Sequence, residues 1–331
     1  MTNRIKLTRS SALLLAFVLL NLPSSAEVDL AGVWQSRQHE DWIERGPGPD
    51  PVDYTGIPLS DDGRAKALSY TAAQLAMPVR QCLYYVPQYV VFGPQGIRIW
   101  NEPDPVTGRI VAWKISGAID RDILTIWMDG RPHPSNNAFH SFAGFTTGVW
   151  EGDMLTTYTT HIKEGYIRRN GAPSSDQTTV TEHIMRHGDI LTIVAVIDDP
   201  IYLTEPHVVS RSWQLDPRAN VPATSSACFP TEELPSLEKE GAVPHHLPGK
   251  NPDVNDLTRL HNIPVEAVLG GAETIYPEYR KKIKDKYVRP QQCKRYCCGW
   301  VALGGPGSAP GLSCITNGSG EPDPVVPPPN R

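Results

Sequence analysis

Six of the ten histidines, His133, His140, His161, His183, His187 and His207, fall within 75 residues of one another. Imidazole can take a proton, give one, or ligate a metal near neutral pH. Around these rings stand three polar stretches: Met128-Asp129-Gly-Arg131-Pro-His133-Pro134, His161-Ile-Lys-Glu164-Gly-Tyr166-Ile-Arg168, and Asp198-Asp199-Pro-Ile-Tyr202-Leu-Thr-Glu205-Pro-His207. The set predicts His161, His183, Asp129 and Glu205 as acid/base groups. Arg131, His133, Tyr166, Arg168 and Tyr202 are the expected substrate contacts, with Arg131 or Arg168 holding an anionic group. Scattered surface histidines held by hydrogen bonds are the plain alternative.

Other chemistries find less in the chain. His183-x3-His187 beside Glu182 has the look of a helical zinc motif. On a strand, however, that spacing holds the rings about 13 Å apart, too far to share an ion. No cofactor is predicted and no metal ligand is assigned, although a divalent metal built from separate strands stays open. There is no Gly-x-Ser-x-Gly elbow, phosphate loop or dinucleotide fingerprint. Ser174-Ser175-Asp176 reads as a turn cap, and of the neighbours Asp198 and Asp199 only one can point into a given site on an extended strand.

Positioning these residues requires strands. Asp122-Ile-Leu-Thr125, Asp153-Met-Leu-Thr156 and Asp189-Ile-Leu-Thr192 repeat one pattern, each after a stretch rich in Thr, Ile, Val and aromatic residues. Gly152-Asp153 and Gly188-Asp189 suit tight hairpin turns. Three hairpins follow, further strands are expected at Trp34, 84–92, 96–100 and 207–215, and the barrel is expected to have about eight or nine. The Gly188 turn pairs His187 with Ile190, Met185 with Thr192, His183 with Val194 and Glu182 with Ala195. Neither resulting face is uniformly apolar. One carries His183, Met185 and His187, the other Val180, Glu182 and Ile184; a solvated face would account for either mixture, and the functional reading is that one of them lines a polar-tipped cavity. The expected fold is mainly β: an antiparallel up-and-down, lipocalin-like barrel or curved sheet covered by short C-terminal helices. Its mouth, opposite the two hairpin turns, would collect the three polar stretches.

Composition sets the surroundings. The chain has 331 residues, 31 Lys plus Arg, 36 Asp plus Glu, 32 Pro and 6 Cys. Proline at about twice average usage argues for many loops and against long helices. Residues 1–26 read as a signal peptide, with Arg4, Lys6 and Arg9 before the apolar run Ala12 to Leu22 and small residues ending at Ala26. Cleavage there would leave 28 basic and 36 acidic residues, a net charge of −8, and a periplasmic or secreted protein. That charge argues against nucleic acid as a partner, and no later stretch reaches the length of a membrane-spanning helix. The remaining divisions are a lead-in over 27–80, a β-meander core over 81–218, a helical cover over 219–290 and a Cys- and Pro-rich tail over 291–331.

Cysteines in an exported chain favour bridges. Cys293, Cys297, Cys298 and Cys314 crowd the tail, and the expected long-range disulfide joins Cys82 to Cys228. Adjacent cysteines are awkward zinc ligands.

Asp29-x-x-Gly-x-Trp34, Met128-Asp-Gly-Arg-Pro-His-Pro134, Trp150-Glu-Gly-Asp153, the stretch from Thr160 to Gly171, Thr181-Glu-His183, Asp199-Pro-x-Tyr-Leu-Thr-Glu-Pro206 and Gly270 to Glu278 together resemble a family of exported bacterial proteins of uncharacterised function. The resemblance spans most of residues 28–280 and implies export but no activity; the Cys-rich extension after Val288 departs from the pattern. The Gly-x-Trp opening is also similar to the first strand of lipocalin-type barrels. Two functions fit these observations. One is an exported small-molecule enzyme, a lyase, isomerase or hydrolase, with acid/base residues at a barrel mouth. The other is a non-catalytic periplasmic binding protein for a hydrophobic or amphipathic small molecule.

Overall fold

The computed structural model describes residues 28–37, 50–54, 56–77, 81–83, 85–90, 96–117, 122–168, 170–221 and 243–286. Nine strands close into a barrel in the order β1-β11-β10-β9-β6-β5-β4-β3-β2. They are β1 Gly32–Ser36, β2 Ile97–Pro103, β3 Ile110–Gly117, β4 Leu124–Trp127, β5 Phe145–Glu151, β6 Met154–Thr160, β9 Thr179–His187, β10 Ile190–Asp198 and β11 His207–Leu215. The two-residue strands β7 (Gly165–Tyr166) and β8 (Pro173–Ser174) form a separate ribbon. No described helix is long and apolar enough to cross a membrane.

The three expected hairpins are present, as β3/β4, β5/β6 and β9/β10, and the last pair has the expected register, His187 opposite Ile190 and Glu182 opposite Ala195. The meander is broken once. A closed ring of nine strands cannot alternate direction all the way round, so one neighbouring pair must run parallel. That pair is β4 and β5, with Ile126 opposite Thr146 and Trp127 opposite Thr147. A parallel pair needs a long return connection. Residues 128–144 supply it, leaving β4 towards the Gly152 and Gly188 turns and running back over the outer wall. The stretch Asp129 to Pro134 therefore starts at the hairpin end and climbs the outside of the wall, so that His133 meets Thr160 at the far end of β6 from outside the barrel and not within its mouth, contrary to the sequence expectation.

A second departure concerns 84–92, expected as a strand. Pro87–Val90 forms a short helix, α2, consistent with proline at the first helical position. Before it, α1 (Asp61–Ser69) begins where Ser60 accepts a hydrogen bond from the Gly63 amide at 3.0 Å. Gly63 permits a close approach, because a Cβ there would run into the Tyr202 carbonyl. The C-terminal cover contains α3 Asp253–His261, α4 Val265–Val268, a 3-10 turn at Ala272–Ile275, and α5 Pro277–Ile283. The expected signal segment, the tail cysteines and Cys228 lie outside the described residues.

Alternation along the strands divides inside from outside. Val180, Glu182 and Ile184 of β9 are buried, and so are Leu191, Ile193, Ala195 and Ile197 of β10. The hairpin end is filled by a cluster that includes Trp34, Trp113, Trp213, Leu155 and Ile184. A second cluster, with Val180, Ala195 and Ile197, packs the mouth end against Ile57, Leu59 and Ala67 of the lead-in.

Candidate functional site

Between the two apolar clusters lies a layer of polar side chains on the inner wall. Thr157 of β6 faces Glu182 of β9, and both are buried, at 0% and 4% exposure. Thr146 and Thr159 are opposite one another on β5 and β6, with their hydroxyl oxygens 2.8 Å apart. Arg211 of β11 is 3% exposed, donates to the Ser36 hydroxyl, and sits 5.5 Å from the Trp213 ring centre. The Thr157 hydroxyl has no hydrogen-bond partner. A buried hydroxyl left unpaired costs about 1–3 kcal/mol, so its retention in a core needs a reason.

Register extends this layer towards the mouth. Glu182 pairs with Ala195, and Ala195 with Val209, so the carboxylate lies level with a position between His207 and Arg211 on β11. His207 and Arg211 are on the same face of that strand, about 13 Å apart. Burial, assisted by the Arg168 charge, pushes the His207 imidazole down to about 4, so it is neutral at pH 7. From the mouth inward the order is thus Arg168, neutral His207, Glu182 and Arg211.

The mouth is assembled by the lead-in helix. Lys66 of α1 donates to Glu164 in the segment leaving β6, and at 3.0 Å to the Tyr202 hydroxyl in the segment leaving β10. Burial opposes the Lys66 charge, but its hydrogen bonds to Glu164 and Tyr202 outweigh burial and raise the pKa. Tyr166 packs edge-on against Tyr70 at 5.4 Å, with its hydroxyl 3.5 Å from the Gln74 side chain. Glu205 accepts from the Tyr276 hydroxyl of the cover. Tyr166, Arg168, Tyr202 and Glu205 are therefore at the mouth, as expected.

The remaining expected site residues are elsewhere. Asp129 and Arg131 form a local ion pair at 2.5 Å, with the guanidinium 3.5 Å over the Trp127 ring, and Arg131 holds the Asp129 carboxyl below the usual range. His183 is on the outward face of β9, 3.1 Å from the Thr156 hydroxyl, which donates to Glu151. His133 and His161 flank Thr160 under the 128–144 strap, and the His140 ring is 5.2 Å from His161. His161 and His183 thus do not converge. Since β6 pairs His183 with Thr156 while His161 follows Thr160, about 13 Å of strand separates them. Among the described residues no group of three or more His, Cys, Asp or Glu side chains is placed to hold a metal ion.

Asp199 is the buried member of the Asp198-Asp199 pair, and it is committed to structure. It accepts from the Ser175 amide and hydroxyl, the Thr178 hydroxyl, and the Ile201 and Tyr202 amides, all within 3.0 Å. Sequence reasoning missed Thr157 and Arg211 altogether and left Glu182 on an undecided face. An acid breaking the apolar alternation of Val180 and Ile184 was the available signal. No protein-family model, curated protein or solved structure matches the chain.

Proposed function

We propose that this is an exported protein that binds an amphipathic small molecule in the mouth half of its barrel, with the polar head of the ligand in the Thr157–Glu182–Arg211 layer. The observation that carries the reading is the unpaired, fully buried Thr157 hydroxyl facing Glu182 in the polar layer between the two apolar clusters. The apolar cluster of Val180, Ala195 and Ile197 closes this half against Ile57, Leu59 and Ala67 of the lead-in, so a ligand reaches the layer by displacing those lead-in side chains. Arg211, 3% exposed in the wall of that layer, is the cation that would meet an acidic head group. Export rests on the N-terminal segment and on the resemblance to exported bacterial proteins of uncharacterised function.

The fluorescent fatty acid cis-parinaric acid tests this directly. One equivalent should saturate the protein, and Thr157→Val, which keeps the shape and removes the hydroxyl, should weaken binding about ten-fold. Arg211→Met should weaken it further, and Glu182→Gln should strengthen it. Absence of saturable binding by the wild type, or equal affinity in all four proteins, rejects the reading.

Catalysis is a second reading, and one observation favours it: a buried carboxylate, Glu182, is opposite in register to a buried hydroxyl, that of Thr157, which has no hydrogen-bond partner. An exported lyase, isomerase or hydrolase would then use Glu182 as its acid/base group, in place of His161 and His183 on the outer wall. Turnover of a bound acid abolished in Glu182→Gln, with binding retained, would establish it.

A further inference from the structure

The cations of this acidic chain are not evenly spread. Residues 280–295 contain eight Lys and Arg and a single acid, Asp285, a net charge of +7 in a chain of −5, leaving −12 for the rest. The described part of that run is the C-terminal half of α5 and the turn after it. None of the residues of α5 is buried; Arg280, Lys281, Lys282, Lys284 and Lys286 are all exposed, and so are the acids Glu266, Glu273, Glu278 and Asp285 of the same elements, which concentrates the positive charge at the 280–286 end of this face.

The run is held against the cover in a defined way. Lys286 pairs with Glu266 of α4 at 2.6 Å, the Tyr279 hydroxyl donates to the Glu266 carbonyl at 3.1 Å, and Lys282 lies 5.5 Å from the Tyr279 ring centre. The same elements leave large apolar side chains in water: Val265 and Leu269 at 45% and 40% exposure, and Ile275 and Tyr276 at 38% and 43%. Cations beside exposed aliphatic and aromatic side chains are the composition that binds at a bilayer interface. The charges seek anionic head groups, and the apolar groups enter the acyl boundary.

We propose that the face formed by α4, the 272–275 turn and α5 docks on an anionic phospholipid bilayer, with the acidic remainder of the molecule turned away from it. Nucleic acid fits less well, because phosphate contacts make no use of the four exposed apolar side chains. The proposal is independent of whether the barrel carries a ligand or performs chemistry.

Co-sedimentation of the full chain with vesicles decides it. Vesicles of phosphatidylcholine with about one third phosphatidylglycerol should bind the protein at low salt and release it as ionic strength rises past physiological. Each cation near such a surface strengthens binding roughly five-fold, so Lys281→Gln/Lys282→Gln/Lys284→Gln should weaken it about 100-fold. These side chains are exposed, and an unchanged melting temperature verifies that the variant folds. Leu269→Ser/Ile275→Ser should weaken binding while leaving its salt dependence intact. Equal binding to pure phosphatidylcholine vesicles overturns the proposal. So does unchanged binding by the triple variant, or retention on heparin by a protein that ignores the vesicles.

Discussion

The Nδ1 atoms of His133 and His161 are both 2.7 Å from one oxygen, the hydroxyl of Thr160. That coincidence determines where the protons lie. His161 Nε2 is 2.9 Å from the Ser135 carbonyl, which can only accept, so Nε2 carries the proton and a neutral ring leaves Nδ1 as acceptor. Thr160 therefore donates to His161 and accepts from His133 Nδ1, whose Nε2 accepts from the Thr147 hydroxyl at 2.9 Å. The strap over 128–144 is stitched to the β5/β6 wall by this one-way chain.

The first prediction is that these tautomers hold at pH 7, with His133 protonated on Nδ1 and His161 on Nε2. Burial, and then the His161 charge, lowers the His133 pKa. A depressed histidine stabilises the fold above its unfolded value near 6.5, and that contribution is lost as the pH falls below it. Imidazole nitrogen shifts read the tautomers, and hydrogen exchange of strap amides should quicken on acidification before the rest of the barrel responds. The reverse tautomers, or uniform exchange, would contradict the chain.

His207 predicts a larger acid sensitivity. Its pKa falls from 6.5 to about 4 because burial, reinforced by Arg168, disfavours the charged ring. The unfolded chain binds the proton first, so stability is full above about pH 6.5 and declines towards pH 4, by on the order of 3 kcal/mol. His207→Gln should flatten the denaturation midpoint across that range; an unchanged slope would assign the acid response to other groups.

Asp199 should be the most damaging polar position to alter in the segment leaving β10. Asp199→Asn replaces one accepting oxygen with a donor that confronts the Ser175 and Thr178 donors. The expected loss is about 2–4 kcal/mol in chemical denaturation, with Tyr202 and Lys66 released from the mouth. A loss below about 0.5 kcal/mol would show that the turn stands without it.

Cys82 is not a free thiol, and its partner lies outside the described residues. Pairing with Cys228 would close a loop of about 145 residues and stabilise the fold by roughly 4–5 kcal/mol in the chain-entropy model. Non-reducing peptide mapping should recover Cys82 linked to Cys228. Linkage to Cys293, Cys297, Cys298 or Cys314 would place the staple in the tail instead.

Much of the scaffold was legible in single stretches of chain. Gly188-Asp189 between two runs of β-branched residues was enough to give the β9/β10 register, and Ser60-Asp-Asp-Gly63 to locate the start of α1. Both are local signals, read from turn chemistry and capping. The site was less legible. Of the nine acid/base and contact residues expected, Tyr166, Arg168, Tyr202 and Glu205 reach the mouth, because the segments leaving β6 and β10 are joined there through Lys66. Asp129, Arg131 and His183 do not, because the parallel seam and the outward face of β9 place them on the outer wall, and His133 and His161 meet at Thr160 at that end of the barrel but outside it, against the strap.

The sequence by itself determined the three hairpins, the helical cover and which side chains share a face, since alternation with a period of two is a property of the extended chain. Only the tertiary structure decided which face of β9 turns inward. His183, Met185 and His187 form one plausible lining and Val180, Glu182 and Ile184 another, and β6, β10 and the tryptophan-rich floor choose the second. Ring closure likewise selected the parallel pair, because nine strands leave one seam where alternation fails and no residue of β4 or β5 announces it alone. Glu182 and Arg211, 29 positions apart, share one polar layer for the same reason: the barrel closes around both.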